Sequence, residues 1–355
     1  MSVAALRVAV LGAGTVGREV VRALVERGGE LHVDGGPPLE LAGVAVRDVD
    51  AAIARGLPID LLTDAPAHLV ADPSVDVVVE LMGGDEPART LIMAALGAGK
   101  RVVTANKHVV AHRGPEIEAI SRRTGAAFRF EASVGGGIPV LGPLAAALAG
   151  SRVSRVRGIV NGTTNYILSA MAGEGRDYAD ALAAAQAAGY AEADPSGDVE
   201  GLDAANKLVI LARLAFDAWL DPAAVRLTAE GPPGNGRPGI TGVGAADTTA
   251  AAADREVVRL IAHAEARQDG IEASVLPTRV PADSAFGRTN GVTNRIEIDA
   301  EPLGSVAFEG PGAGGGATAV SVLGDVLAIA RGEGSTWAGR PPARDLRAAP
   351  AGGRR

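Results

Sequence analysis

Short apolar runs alternate with Ala/Leu-rich helical segments from Arg7 to about residue 150. The runs predict strands at residues 7–11, 39–46, 75–81, 101–104 and 127–131, and the helical patterns between them include residues 17–26 and 87–96. Such alternation is typical of a parallel sheet covered by helices on both faces, where strands are apolar throughout. The first 150 residues therefore predict an α/β domain.

A different pattern begins near Ser151. Residues 153–160 alternate apolar and polar side chains, which predicts a strand with one solvent-facing side. Helical patterns follow at residues 166–171, 178–188 and 203–216, and further strands are predicted at residues 272–276, 293–298 and 303–308. Residues 151–308 therefore predict a second, α+β domain. After Arg331 the chain is rich in Gly, Pro, Arg and Ala, so we expect residues 331–355 to form a disordered tail.

Composition narrows the possible functions. A chain of 355 residues that is 47% hydrophobic can bury two cores, and its net charge of -8 disfavours nucleic acid and anionic membranes as partners. The absence of cysteine excludes disulfides, a thiolate nucleophile and a cysteine-based zinc site. Because no apolar run approaches the roughly 18 residues of a membrane helix and the N-terminus does not resemble a secretion signal, we expect a cytoplasmic protein.

Three glycines follow the first predicted strand. Gly12, Gly14 and Gly17 form the pattern G-x-G-x-x-G at the point where a strand leads into a helix. In that context the pattern predicts a dinucleotide-binding turn of the Rossmann type, in which the helix N-terminus faces the pyrophosphate. The competing interpretation is a glycine-rich turn that binds nothing.

The end of the second predicted strand bears on the choice of dinucleotide. Arg47 is suited to the 2′-phosphate of NADP, whereas Asp48 next to it is suited to the ribose hydroxyl of NAD. A solvated charge pair is the third possibility. The sequence favours NADP and leaves NAD open.

Lysine is used only three times, at Lys100, Lys107 and Lys207, although the chain has 34 basic residues. Arginine cannot release a proton near neutral pH, so an amine that transfers protons must be a lysine. Lys100 lies at a predicted helix end, where it would interact with the helix dipole. Asp203 and Lys207 lie four residues apart in an apolar helical segment. They form either a surface ion pair or a partly buried pair with a chemical role.

Four motifs together resemble those of the homoserine dehydrogenases, over roughly residues 5–330. The motifs are the acidic segment 192–207, Thr104-Ala105-Asn106-Lys107, the segment 161–168 (NGTTNYIL) and the segment 80–84 (ELMGG). The resemblance implies reversible, NAD(P)-dependent hydride transfer between L-homoserine and L-aspartate 4-semialdehyde, in the biosynthesis of threonine, methionine and isoleucine. The fold that it implies is an N-terminal Rossmann domain (residues 1–150, completed by about 309–330) with a substrate and dimerisation domain (151–308).

The resemblance also implies the following roles. Lys207 would donate or accept the proton, with Asp203 beside it and Lys107 as a second lysine near cofactor and substrate. Glu192, Asp198 and Asp203 would bind the substrate. The residues that it places at the cofactor, together with the glycine turn and Arg47, are Thr15, Val16, Thr104, Lys107, Gly189 and Gly312. Backbone oxygens of Glu131, Val134, Gly136 and Ile138 are weaker candidates for holding a sodium or potassium ion.

Two departures from the family and two alternatives accompany this interpretation. Many bacterial members carry a C-terminal ligand-sensing ACT domain that this sequence lacks, so feedback inhibition by threonine through such a domain is not expected. Residues 231–239 and 245–253 replace a more regular region of the family. A homodimer is expected from the family alone. The alternatives are an oxidoreductase of the same build that acts on another small amino acid or semialdehyde, and a non-catalytic dinucleotide-binding sensor.

Overall fold

The computed structural model describes residues 4–34 and 36–346. It divides into two compact units. The first contains Met1–Ala145 and Ala313–Pro342, and the second contains Ala146–Gly312 and Ala343–Arg355. The sequence placed the boundary near residue 150.

The strands of the described residues, numbered in chain order, are β1 (Leu6–Leu11), β2 (Leu39–Ala45), β3 (Leu62–Thr63), β4 (Val77–Glu80), β5 (Arg101–Thr104), β6 (Phe128–Arg129), β7 (Arg152–Ile159), β8 (Ala218–Trp219), β9 (Glu256–Arg267), β10 (Gly270–Pro281), β11 (Thr293–Glu301), β12 (Gly304–Pro311) and β13 (Arg344–Asp345).

The helices are α1 (Thr15–Arg27), α2 (Val49–Ala54), α3 (Pro66–Ala71), α4 (Ala88–Gly97), α5 (Lys107–Thr124), α6 (Leu141–Ala145), α7 (Gly162–Glu174), α8 (Tyr178–Ala187), α9 (Ser196–Val199), α10 (Leu202–Phe216), α11 (Ala245–Ala253), α12 (Ala285–Arg288) and α13 (Gly315–Ala330). Within the part of the chain that the structure describes, none of them has the length and apolar character needed to cross a bilayer.

The first unit is built on a parallel six-stranded sheet in the order β3-β2-β1-β4-β5-β6. The predicted α/β class with a Rossmann domain is confirmed. The chain runs outward in one direction from β1 and in the other from β4, so the carboxyl ends of these two neighbouring strands flank a crevice. In sheets of this kind ligands bind at that crevice, which is where the glycine turn lies.

Burial on both faces explains why the strands of the first unit are apolar throughout. Val8 and Val10 of β1 and Val77 and Val79 of β4 have no exposed surface. They belong to one core cluster, which also contains the inner faces of α1 and α13. Helix α13 thus returns to the first unit late in the chain and completes its core.

The second unit contains an antiparallel five-stranded sheet in the order β10-β9-β7-β11-β12. Helices α7 and α10 pack on this sheet, α7 against β9 and β11 and α10 against β7, β9 and β10. The central strand β7 ends at Ile159 and leads directly into α7. The residues at that junction, Val160 and Asn161, lie beside α10 and enter the site described below.

The sequence missed β9, the twelve-residue strand beside β7. Its residues 257–262 are apolar except for Arg259, so the run lacks the alternation that marks a half-buried strand. Arg259 is nevertheless 1% exposed, because its guanidinium donates to backbone carbonyls of α12 and to Asn290 Oδ1. Burial lowers the pKa of Arg259 to about 10.

Lys100 has a different partner from the expected one. Its own helix α4 ends at Gly97, but its ammonium donates to the backbone carbonyls of Asp72, directly after α3, and of Val75. Burial lowers the pKa of this lysine below its ordinary value. Lys100 therefore stabilises the carbonyl end of the preceding helix.

The predicted disordered tail is wrong for residues 331–346. Trp337 is 2% exposed and its ring stacks against Phe128 and lies 5.4 Å from the ring centroid of Phe130. In the second unit, β13 pairs with β8. Composition could not predict either feature, because one buried tryptophan and two strand residues hardly change the average of a segment rich in glycine, proline and arginine. Residues 347–355 lie outside the described part of the chain.

The substitution Trp337→Ala tests whether this segment is part of the fold. Removing a buried aromatic ring is expected to lower the free energy of unfolding by about 3–5 kcal/mol. Chemical denaturation followed by circular dichroism measures it. Ala338→Ser, at an exposed neighbouring position, is the control and should leave stability unchanged. Equal stability of Trp337→Ala and wild type would contradict the packing.

Candidate functional site

The glycine turn of the first unit connects β1 to α1. Gly12 has φ +97°, and a Cβ there would lie 2.8 Å from the carbonyl oxygen of Leu81. A Cβ at Gly17 would lie 1.9 Å from the carbonyl oxygen of Gly12. A Cβ at Gly14 would instead project into open space. The outer two glycines are therefore required by the turn itself, and Gly14 keeps clear the space that a pyrophosphate would occupy.

Two helices begin beside this turn. Helix α1 starts at Thr15 and continues with Val16, and its N-cap residue Gly14 has no side chain to bond the first amides. Helix α13 starts at Gly315, where a Cβ would lie 2.7 Å from the carbonyl oxygen of Thr15. The unsatisfied amides of a helix N-terminus favour an anion. The structure thus provides what a dinucleotide phosphate needs.

Arg47 and Asp48 follow β2, whose last carbonyl, that of Ala45, accepts a hydrogen bond from the amide of Gly12. Both residues are exposed. Asp48 Oδ1 accepts from the amide of Ala51 at 2.9 Å and so caps α2. Among the described residues Arg47 has no ion-pair partner within 4.0 Å. The Asp48 carboxylate thus has a local structural role, whereas the Arg47 side chain is exposed to solvent.

The motifs at residues 80–84 and 104–107 form one hydrogen-bond chain. Thr104 Oγ1 donates to Glu80 Oε2 at 2.6 Å and accepts from the amide of Asn106 at 2.9 Å. Asn106 Nδ2 donates to the carbonyl of Gly84 at 2.8 Å, and its Oδ1 caps α5. Burial raises the pKa of Glu80 above its ordinary value, while the hydrogen bond from Thr104 opposes that rise. This chain fixes the start of α5, where Lys107 is the first residue.

No role was predicted for Glu80 or Asn106 from the sequence. Both are buried polar residues at the carboxyl ends of neighbouring parallel strands, β4 and β5. Glu80 could have been recognised from the sequence because it is a charged residue at the end of an otherwise apolar strand. Asn106 has the type and position of an ordinary helix cap.

The candidate cation segment surrounds Glu131. The Glu131 carboxylate accepts from the amides of Val140, Leu141 and Gly142 at 2.6–2.8 Å. Its side chain therefore holds the start of α6, and burial raises its pKa above the ordinary value. The carbonyl of Gly136 accepts from Ser321 Oγ at 2.7 Å. Across residues 4–34 and 36–346, no three or more His, Asp or Glu side chains form a group that could hold a metal.

In the second unit Lys207 forms a buried ion pair with Asp203. Lys207 Nζ donates to Asp203 Oδ2 at 2.8 Å and to the carbonyl of Val160 at 2.7 Å. The side chains of Lys207 and Asp203 are 11% and 10% exposed. Both lie on one face of α10, one turn apart. Of the two interpretations left open by the sequence, the structure excludes the solvated surface pair.

Asn161 joins this pair to Asp198. Asn161 Nδ2 donates to Asp198 Oδ1 at 2.7 Å and to Asp203 Oδ2 at 2.9 Å. Asp198 lies on the short helix α9 that precedes α10. No functional role was predicted for Asn161 from the sequence, because an asparagine before a helix is a usual N-cap, and Asn161 does cap α7.

The structure does not bring the other predicted residues of the second unit into this cluster. Glu192 is exposed in the loop after α8, where its carbonyl accepts from Gln186 Nε2. Gly189, in the same loop, has φ +74°. A Cβ at Gly312 would lie 2.0 Å from Nδ2 of the buried Asn294 side chain, so packing alone favours a glycine there.

Two family models match the chain in succession. The model described as "Homoserine dehydrogenase, NAD binding domain" matches residues 12–131, and the model described as "Homoserine dehydrogenase" matches residues 139–327. The break between them falls close to the end of the first segment of the first unit, Ala145.

Curated relatives that are named homoserine dehydrogenase align with nearly the whole chain. The homoserine dehydrogenase of Corynebacterium glutamicum is 44% identical over 332 residues, which are 92% of this chain and 72% of the relative. That of Mycobacterium tuberculosis is 46% identical over 329 residues, which are 91% of this chain and 72% of the relative. The alternative of a related enzyme for another substrate and that of a sensor are not favoured.

Solved structures agree with these matches. A homoserine dehydrogenase from Thiobacillus denitrificans has a TM-score of 0.88 at 35% identity and covers 96% of this chain and 79% of its own. A hyperthermophilic archaeal homoserine dehydrogenase in complex with NADPH has a TM-score of 0.75 at 28% identity, covering 91% and 97% of the two chains. The chain therefore belongs to the homoserine dehydrogenase family of NAD(P)-dependent oxidoreductases.

Proposed function

We propose that this chain interconverts L-homoserine and L-aspartate 4-semialdehyde and that Lys207 carries the proton in both directions. The observation that supports this role is the buried Lys207–Asp203 pair, held by the carbonyl of Val160. A lysine ammonium has three N–H donors. These two hydrogen bonds account for two of them, and the third would reach the substrate oxygen.

Each direction of the reaction moves one hydride and one proton. The cofactor, which the glycine turn and the amides of Thr15 and Val16 would hold, would supply the hydride chemistry, accepting a hydride from C4 of homoserine or returning it to the aldehyde carbon. During oxidation Lys207 starts as the neutral amine and removes the hydroxyl proton, so that the C4–O bond becomes a carbonyl. During reduction the Lys207 ammonium donates that proton to the aldehyde oxygen. The Asp203 carboxylate stabilises the ammonium form at 2.8 Å.

The acidic residues near Lys207 are suited to the ammonium end of the substrate. Asp198 and Asp203 present negative charge beside Lys207, and Glu192 lies in the preceding exposed loop. Carboxylates attract the ammonium group of an amino acid, and such contacts fix its orientation. We assign Asp198 and Glu192 to substrate binding on this basis.

Replacing Lys207 tests the mechanism. Lys207→Ala should reduce kcat/KM for homoserine about 100- to 10,000-fold, because the proton acceptor is lost. The rate is measured as homoserine-dependent formation of reduced cofactor. Lys100→Met removes another buried lysine, in the first unit, and should lower stability without changing kcat/KM. An unchanged rate for Lys207→Ala would rule out this role.

We assign the cofactor to the first unit and favour NADP over NAD. The features that fit a dinucleotide are the turn formed by Gly12 and Gly17, the open space at Gly14, the backbone amides of Thr15 and Val16, and the exposed side chain of Arg47. Because Asp48 is already an N-cap, its carboxylate is less suited to the ribose hydroxyls. Thr104 and Lys107 would lie on the nicotinamide side, with Lys107 orienting the substrate or sharing the proton transfer. Gly189 and Gly312 remain proposed cofactor contacts.

Arg47→Ala tests the preference for NADP. Loss of a charge-assisted contact to the 2′-phosphate should raise Kd for NADPH about 10- to 100-fold and leave Kd for NADH nearly unchanged. Fluorescence titration of each cofactor measures the two constants. Arg27→Ala removes a comparably exposed arginine at the far end of α1 and is the matched control. Equal losses for both cofactors would show that Arg47 does not read the phosphate.

A monovalent cation fits the segment from Glu131 to Ile138 through backbone oxygens. Neutral carbonyl oxygens are ligands for potassium, and a carbonyl that accepts one hydrogen bond retains a second lone pair. The carbonyls of Glu131, Val134, Gly136 and Ile138 would hold it, since the Glu131 carboxylate is occupied by α6. A bound cation would fix this loop and take no part in proton transfer.

We further propose a cytoplasmic homodimer. Strand β12 is an edge of the antiparallel sheet, and its unpaired backbone groups could accept a strand of a second copy. Light scattering on the purified protein should give twice the chain mass of 35.6 kDa. A mass of one chain at micromolar concentration would contradict the dimer.

A further inference from the structure

We infer that Asn161 is a positioning residue for the reaction. Its side-chain amide holds Asp198 and Asp203 in a fixed arrangement and so keeps the Asp203 carboxylate against Lys207. The inference rests on the proposed role of Lys207. Asn161 itself transfers neither the proton nor the hydride. The geometry of proton transfer nevertheless depends on it.

The contacts of Asn161 leave only one orientation of its amide. Nδ2 donates to Asp198 Oδ1 and to Asp203 Oδ2, and Oδ1 accepts from the amide of Thr164 at 2.9 Å. Ionised carboxylates only accept and a backbone N–H only donates. The opposite orientation would place Oδ1 against two carboxylates, so the partners themselves fix the amide.

Both amide hydrogens of Asn161 are used within the cluster. One goes to each carboxylate, and Oδ1 also contacts Thr164 Oγ1 at 3.0 Å. The residue is only 5% exposed. With its donors occupied and its surface buried, Asn161 orients the acidic residues and does not bind the substrate itself.

Charge explains why a neutral donor is needed here. Two carboxylates that approach the same atom repel each other, and each requires hydrogen bonds in place of the water it has lost. The amide satisfies both without adding a positive charge that would compete with Lys207. Because Asp203 Oδ2 accepts from both Asn161 and Lys207, displacement of Asp203 would also displace the lysine.

The backbone at the end of β7 links the hydrogen bond to Lys207 with the orientation of Asp203. Val160, whose carbonyl accepts from Lys207, is the residue immediately before Asn161. The end of β7 therefore supplies one hydrogen bond to the lysine and, through the next side chain, orients the lysine's counter-ion. A shift of this two-residue segment would change both contacts at once.

Asn161→Asp separates the positioning role from the capping role. Aspartate has the same size and is an equally good N-cap, so the bond from Thr164 survives. Both donors to Asp198 and Asp203 are lost, and a third negative charge is added. We expect kcat to fall about 10- to 100-fold, with a smaller change in KM. The primary isotope effect with homoserine deuterated at C4 should increase, because the chemical step becomes slower.

Asn165→Ala is the matched control for loss of stability. Asn165 is 1% exposed in the same helix, and its amide donates to the carbonyls of Thr289 and Thr293, away from the acidic residues. This variant should melt at a lower temperature with an unchanged isotope effect. If Asn161→Asp does not fold, Asn161→Ser, which retains a capping oxygen on a shorter side chain, replaces it with the same expected result.

Two outcomes overturn the inference, and they are distinguishable. A wild-type kcat and isotope effect in the folded Asn161 variant, with Lys207→Ala inactive, removes the role of Asn161 alone. Full activity of Lys207→Ala removes the proposed proton carrier and the positioning role with it. A slower Asn161→Asp with a raised isotope effect, beside an unaffected Asn165→Ala, supports the inference.

Discussion

The arrangement of the second unit depends on the burial of one lysine ammonium. A charge taken out of water is costly unless it is paired and hydrogen-bonded, and removing a partner from such a pair is strongly destabilising. Lys207 obtains its partners from two elements, Asp203 from its own helix and the carbonyl of Val160 from the end of β7. Helix α10 must therefore lie against that strand end in one register, and the same contacts hold the amine in one position.

The first unit has the opposite feature at its glycine turn, where the first amides of two helices have no side-chain acceptor. Helix α1 begins after a glycine that has no capping side chain, and α13 begins against Thr15. Unsatisfied amides at a helix N-terminus are tolerable where water or an anion can reach them. Asp48 and Asn106 show the other solution, since each caps the helix that follows its strand. Helices α1 and α13 have no such cap, and both begin beside the glycine turn.

Parts of the fold could be predicted correctly where one residue type carried the information. The glycines at 12 and 17 follow from steric limits of the turn, and the apolar strands of the parallel sheet follow from burial on both faces. The scarcity of lysine drew attention to Lys207, which the structure shows to be buried and paired with Asp203, whereas its role in proton transfer stays a prediction. Strand β9 was missed because its buried arginine interrupts an apolar run, and the order around Trp337 was missed because one aromatic ring hardly changes composition. Side-chain networks such as Glu80–Thr104 join residues 24 positions apart, a distance that no local pattern encodes.

Helix caps account for much of what local patterns could not show. A residue that caps a helix after a strand lies, by topology, at the strand's carboxyl end, where sites form in the parallel sheet. Asn106 after β5 and Asn161 after β7 are both such residues. Each side chain bonds its own helix through its oxygen and a different segment of the chain through its nitrogen. From sequence alone both would be assigned the structural role, which is correct but incomplete. The amide side chain suits this double role because it is a donor and an acceptor at once, whereas an aspartate at either position could only accept.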